Sequence, residues 1–313
     1  MTRLLRAGRW KLTALVVLVL LSSVFPVDLL PSSPRGRHGT DGQLSGRQGE
    51  VLMVRVPAGG QAAGLTGRFL DRRIPFYRDA SGYVALLGLD MQDQPGMHEL
   101  TVEMDTPDAP QRLSYNVLVL KQKYPVQHLT LPKDQVDLDE DSLVRVKAEQ
   151  QQVKVILDLM SPKRFWEAGF IEPVHGSVSG AFGRMRVING QPRNPHNGED
   201  IAAPMGTEVV AMNDGIARLT VDHFFSGKGV YLDHGLGLYS MYFHLSEVSV
   251  QDGEAVKRGQ VIGKVGASGR ASGPHLHWGV RLNGARVDPY ALTKLSFDGA
   301  PVNKTVKEAN RLK

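Results

Sequence analysis

The sequence predicts a mainly β protein: a C-terminal all-β domain with a groove, a small β-sandwich ahead of it, and a helical linker between them. Three observations predict this. Residues 51–122 carry short apolar runs separated by turn signals, the spacing of a sandwich. From residue 161 onward the same pattern returns with many glycines. Within it lies Gly273-Pro274-His275-Leu276-His277-Trp278-Gly279, which reads as a strand. Alternation puts His275, His277 and Gly279 on one face and Leu276, Trp278, Val280 and Leu282 on the other. The apolar set enters a core while the histidines line a groove, and Gly279 leaves room for something to approach the backbone.

Residues 1–27 hold Arg3, Arg6, Arg9 and Lys11 and no acid, followed by an apolar run over 12–25. This is the charged start and apolar middle of an export signal. The run is short for a spanning helix, which needs about 20 residues, and no clear small-x-small cleavage site follows. The segment is therefore read as a signal peptide or an N-terminal membrane anchor. Of the net charge of +5, the leader carries +4, so no nucleic-acid surface is expected. There is no cysteine, which excludes disulfides, thiolate metal sites and a thiol nucleophile.

Residues 28–48, with Pro31, Ser32, Ser33 and Pro34, read as a flexible tether. The sandwich, 49–122, has candidate strands at 51–56, 63–70, 83–87, 98–104 and 114–120, with breaks at 57–60, 79–82 and 94–96. It holds no chemical constellation, so binding or spacing is its expected role. The linker, 123–161, contains Pro125 and Pro132 and then a helical pattern over 139–160. Leu143, Val146, Val153, Leu157 and Met160 form its stripe, and Asp139, Glu140 and Asp141 suit its N-terminus. It reads as a strut between two independently folded units.

In the C-terminal domain, 162–295, strands 207–211 and 216–222 flank Asn213-Asp214-Gly215, a hairpin signal. Strands 230–233 and 238–244 flank His234-Gly235-Leu236-Gly237. Strand 260–265 precedes the loop that feeds the histidine strand. Residues 296–313 read as a polar, basic tail.

The histidine pair needs partners. His196 and Asp200 lie four apart, but Pro195 and Gly198 argue against a helix, so a loop turning into a strand should bring them together. Histidine plus carboxylate suits Zn²⁺. These two and one histidine of the later pair make three protein ligands, the number found in catalytic zinc sites. His244 ends a strand in which alternation puts Tyr242 and His244 on one face. His38, His98, His128, His175 and His223 read as ordinary surface or core residues, and His234 as a structural turn residue.

Taken together, residues 170–292 resemble the LytM/lysostaphin-type zinc metallopeptidases, peptidase family M23. The resemblance rests on His196-x-x-x-Asp200, His244-Leu245-Ser246 and His275-Leu276-His277, framed by Ala181-Phe182-Gly183-Arg184, Asp200-Ile201-Ala202-Ala203-Pro204 and Gly273-Pro274. Phe224-Phe225-Ser226-Gly227 and Val287-Asp288-Pro289, with a β-rich domain ahead, resemble a bacterial subgroup with an N-terminal sandwich. The resemblance implies one Zn²⁺ per chain on His196, Asp200 and His277. It implies His244 and His275 as catalytic histidines, their division of labour left open. It implies an exported endopeptidase of the cell envelope that cuts peptidoglycan stems or cross-links. The implied partners are peptidoglycan, the membrane if the N-terminal segment is uncleaved, and a regulatory protein of unknown identity. The alternative is an inactive wall-binding activator of a separate amidase. Such relatives lose zinc ligands, and here all five positions are present.

Overall fold

The structure, a computed structural model, describes residues 43–57, 64–80, 82–106, 109–130, 138–167 and 169–297. The leader, most of the tether and the tail beyond Phe297 lie outside the described residues. All described residues fall within one compact unit, 36–313. Among them no helix is long and apolar enough to cross a membrane.

Period-two patterning builds the sandwich from β1 (Leu44–Arg47), β2 (Val51–Pro57), β3 (Gly64–Phe69), β4 (Arg72–Pro75), β5 (Tyr77–Asp79), β6 (Gly82–Gly88), β7 (Gly96–Asp105) and β8 (Gln111–Leu120). One sheet runs β1-β8-β7-β3-β4 and the other β2-β6-β5. Val54, Val56, Ala85 and Leu87 of one sheet meet Leu100, Val102, Val117 and Val119 of the other. The tether is shorter than expected. Leu44–Arg47 pairs in parallel with β8, and Leu44 is buried in the sandwich core. That burial fixes a segment whose glycine and arginine content alone reads as loose.

The linker supplies β9 (Val126–Leu129) and α1 (Glu140–Asp158). Asp139 caps the helix, its Oδ1 accepting the Ser142 amide at 2.7 Å. The apolar stripe is only partly used. Val146 is buried, and Val153, Ile156 and Leu157 pack on Leu219, Tyr231, Met241 and Phe243, while Leu143 is exposed.

The C-terminal unit contains β10 (Ser177–Gly180), β11 (Met185–Ile188), β12 (Gln191–Pro192), β13 (Gly198–Ala202), β14 (Glu208–Val210), β15 (Gly215–His223), β16 (Gly227–Gly235), β17 (Leu238–Val248), β18 (Ala255–Val256), β19 (Val261–Val265), β20 (His275–Leu282), β21 (Ala285–Val287) and the short α2 (Pro289–Thr293). Its main sheet runs β10-β13-β20-β17-β16-β15-β18, with β14, β19 and β21 attached. A small sheet, β12-β11-β9, joins the linker strand to this unit.

The Asn213-Asp214-Gly215 hairpin does not form. β14 pairs with β19, and β15 pairs with β16 and β18. The turn's polar groups are spent on other segments: Asp214 accepts the Arg258 amide and Lys257 Nζ, and Asn213 Nδ2 donates to Gly169 O. The strands read on either side of His234-Gly235-Leu236-Gly237 do form, and as β16 and β17 they pair antiparallel.

The two units are packed together rather than held apart by a strut. β6 is buried on both faces: Leu87 belongs to the sandwich core, and Leu86 joins Val51 in the C-terminal core. Arg286 donates to Asp90 through its backbone N, Nε and Nη2 at 2.6–3.0 Å. Burial alone would raise the Asp90 pKa, but the Arg286 bonds outweigh it and hold it low. The expected loose tail starts later too, since Phe297 packs its ring on Trp166 and Phe170.

Candidate metal centre and groove

Three side chains from two adjacent strands and one loop converge. Asp200 in β13 lies opposite His277 in β20 in the antiparallel register. His196 sits in the loop before β13, as Pro195 and Gly198 require. His196 Nε2 is 3.0 Å from Asp200 Oδ1 and 3.0 Å from His277 Nδ1, and His277 Nδ1 is 2.8 Å from Asp200 Oδ1. Two glycines make the approach possible. A Cβ at Gly198 would lie 2.7 Å from His277 Nε2, and one at Gly180 would lie 2.2 Å from Asp200 Oδ2. At Gly279, where room was expected, the Met241 methyl fills the space.

The chemistry of this cluster is that of a cation site. His196 Nδ1 lies 3.1 Å from Ala181 O, which can only accept, so the proton sits on Nδ1 and leaves Nε2 bare. Burial would raise the Asp200 pKa, but the imidazoles of His196 and His277 packed against it outweigh that and hold the carboxyl well below the usual range. Burial lowers the His277 pKa. Two imidazole nitrogens and a carboxylate oxygen thus face one another at about 3 Å. Tetrahedral zinc, with ligands at ~2.0–2.1 Å, places its donors ~3.3 Å apart, so the residues present fit the ion.

His275 shares the groove face with His277, as alternation predicts, but its Nε2 is 3.8 Å from Asp200 Oδ1 and stands outside the triangle. Its Nδ1 donates to Gly273 O at 2.8 Å. His244 Nδ1 donates to Ser268 O at 2.9 Å, and its ring lies 4.7 Å from that of His275. In the neutral form of either ring the proton thus sits on Nδ1 and Nε2 is left to accept. Burial, with His277 and His275 nearby, pushes the His244 pKa down to about 4. Strand alternation misplaces its neighbour. Tyr242 is in the core, its Oη accepting the Met212 amide, because His244 takes φ +61° and breaks the two-residue period.

The cluster lines a groove of about 790 Å³. One wall was not expected: Val146, Glu149 and Val153 of α1 and Leu129 of β9 come from the linker. The helix is fastened by Glu149, whose two oxygens accept the Phe224 amide at 3.0 and 3.1 Å, and by Arg145, which donates to Asp222 O. His223, read as bland, lines the groove and meets Gln152 of α1. His234 is structural as expected: Nδ1 donates to Asp214 O, and Nε2 lies 2.7 Å from Ser240 Oγ.

Glu199 also went unread. It pairs with Trp278 across the sheet, on the core face. Its Oε1 accepts the Phe182 amide at 3.0 Å, next to the Ala181 carbonyl that orients His196. Burial, against that bond, pushes its pKa up to about 7. The signal was a carboxylate in the apolar phase of a strand.

Residues 194–289 match Peptidase family M23. The peptidoglycan DD-endopeptidase ShyA of Vibrio cholerae is 43% identical over 94 residues, covering 30% of this chain and 22% of ShyA. The DD-carboxypeptidase/endopeptidase Mpg of Neisseria meningitidis is 42% identical over 129 residues, covering 40% of this chain and 30% of Mpg. The matches thus span less than a third of either curated relative. The crystal structure of a Pseudomonas aeruginosa protein assigned to peptidase M23 aligns with a TM-score of 0.60 at 30% identity, over 79% of this chain and 94% of that one. With nearly the whole of that relative matched, and the M23 segment carrying the His–Asp–His cluster, the chain belongs to peptidase family M23.

Proposed function

We propose that this protein is a zinc-dependent endopeptidase that hydrolyses peptide bonds in the stems or cross-links of peptidoglycan in the cell envelope. The observation that carries this reading is the convergence of His196 Nε2, Asp200 Oδ1 and His277 Nδ1 in an open groove, with His244 and His275 beside them. Similarity to ShyA and Mpg supports the substrate class.

In this reading His196, Asp200 and His277 hold one zinc ion. When bound, zinc supplies a water of lowered pKa and polarises the scissile carbonyl. His244 and His275 are each anchored through Nδ1 on a carbonyl; one of the two would take the single proton lost by the attacking water and pass it to the leaving amine, and the other would steady the developing oxyanion. The Ala181 carbonyl orients the His196 ring. Nothing favours the inactive-activator alternative, since none of the five side chains is replaced.

The test is metal analysis of the purified protein together with digestion of purified peptidoglycan and mass analysis of the products. One zinc per chain and fragments one water heavier at a peptide bond are expected. Protein that carries no zinc and releases no fragment would refute the reading. Export is tested by fusing residues 1–48 to a reporter active only outside the cytoplasm, and a silent, well-expressed fusion would refute it.

A further inference from the structure

The charges along the groove are unevenly committed. Its two acids are engaged. Glu149 holds the Phe224 amide and Arg145, and Asp200 faces His196 and His277. Its two arginines, Arg186 and Arg270, flank the cluster from different segments. Arg270, in the loop leading to His275, lies over the rings of Phe224 and Phe225 at 5.9 and 5.6 Å.

Arg186 differs. It is half-buried in β11, and with Ile188 it faces the groove by strand alternation. Its Nε is shut off from solvent without a hydrogen-bond partner. No hydrogen bond or ion pair of its side chain is found among the described residues. A guanidinium in that state is short of an acceptor. The surroundings suit an incoming one, since Leu129 and Ile188 beside it are apolar and so strengthen a charge-assisted bond. The backbone fixes which bank it stands on. Arg184 O accepts the His196 amide at 3.0 Å, and Arg186 O accepts the Arg193 amide at 2.8 Å. Arg186 therefore belongs to the His196 side.

We infer that Arg186 docks a free carboxylate of the peptide substrate on the His196 side of the groove, so that the enzyme prefers acidic peptides to their carboxamide forms. With Nε closed off, the docking edge is the Nη1/Nη2 pair, whose two parallel N–H groups match a carboxylate. The inference rests on the peptidase reading of the same groove. The carboxylate is either a side-chain group or a chain terminus, and the experiment separates the two.

The experiment uses synthetic cross-linked stem-type peptides in three forms: all carboxylates free, side-chain carboxylate amidated, and C-terminus amidated. Cleavage is measured for the zinc-loaded full chain, and binding is measured calorimetrically for the metal-free protein. Wild type should favour the free acid over one amidated form by about 10- to 100-fold, mostly in KM and in Kd. The amidated position that loses affinity names the docked group. Arg186→Gln should shrink that preference to within about twofold, and Arg186→Lys should keep part of it. Equal handling of all three forms by wild type, or an undiminished preference in Arg186→Gln, would overturn the inference. If zinc-loaded wild type cleaves none of the peptides, the peptidase reading fails. The binding arm then decides the docking by the same two outcomes.

Discussion

Phe243 and His244 are neighbours in β17, yet both face the groove. Phe243 stacks on His277 at 5.7 Å with planes 15° apart, and His244 lies beside His275. The left-handed backbone at His244, φ +61°, turns its side chain to the same side as its predecessor. A non-glycine residue held there costs on the order of 1–2 kcal/mol.

Position 244 should therefore separate stability from activity. His244→Ala and His244→Gly should both keep zinc and lose activity by about 10²–10⁴-fold. The glycine variant should be the more stable of the two by about 1 kcal/mol, since it adopts the left-handed conformation freely. Thermal melts, metal analysis and a cleavage assay on both proteins check this. An alanine variant as stable as the glycine one would count against stored strain.

Within β20 the two histidines should differ in kind. His277→Ala should lose zinc along with activity, because His196 and Asp200 alone hold it poorly. His275→Ala should keep zinc near one per chain and lose activity by about 10²–10⁴-fold. Metal content of the purified variants decides it, and a metal-free His275→Ala beside a zinc-loaded His277→Ala would reverse the assignment.

Glu199 should act on the metal from behind it. Through the Phe182 amide it steadies the Ala181 carbonyl, which fixes the His196 ring. Glu199→Leu should weaken zinc affinity by about 10-fold or more, while Glu199→Gln, which keeps an acceptor oxygen, should restore most of it. Competition against a coloured chelator measures both. Equal affinity in Glu199→Leu and wild type would remove the residue from the site.

His234 should make stability fall in mild acid. Burial pushes its pKa down to about 4, against an ordinary value of 6.5. Between those values the unfolded chain binds a proton that the folded chain refuses. The stabilisation is full above about pH 6.5 and declines as pH drops toward 4, by about 2 kcal/mol at pH 5. Urea melts at pH 7.5 and 5.0 should show a smaller loss for His234→Gln than for wild type. Parallel losses would refute this.

Much of this site was legible because its parts repeat at short range. Two-residue alternation in β20 placed His275 and His277 together, and Pro195 with Gly198 ruled out a helix at His196. The misses came where side chains find distant partners. Asp214 binds residues 257 and 258, so a turn that reads as a hairpin becomes a crossover. Leu44 enters a core that its own neighbours do not foretell. Tyr242 was misplaced because one left-handed residue shifts the phase of a strand, and no local pattern announces it. Glu149 and Arg186 look like ordinary surface charges until the fold brings α1 and β11 to the groove.

The wall supplied by the linker changes where the working unit begins. The segment that matches the family starts at residue 194, but β9 and α1 come before it and form part of the groove. A transplant of residues 194–289 onto another carrier would carry His196, Asp200 and His277 and leave one bank behind. The Phe224 amide would lose its carboxylate partner, and Leu219, Tyr231 and Met241 would lose their helical cover. The groove thus draws on chain that begins at Val126, some seventy residues ahead of His196.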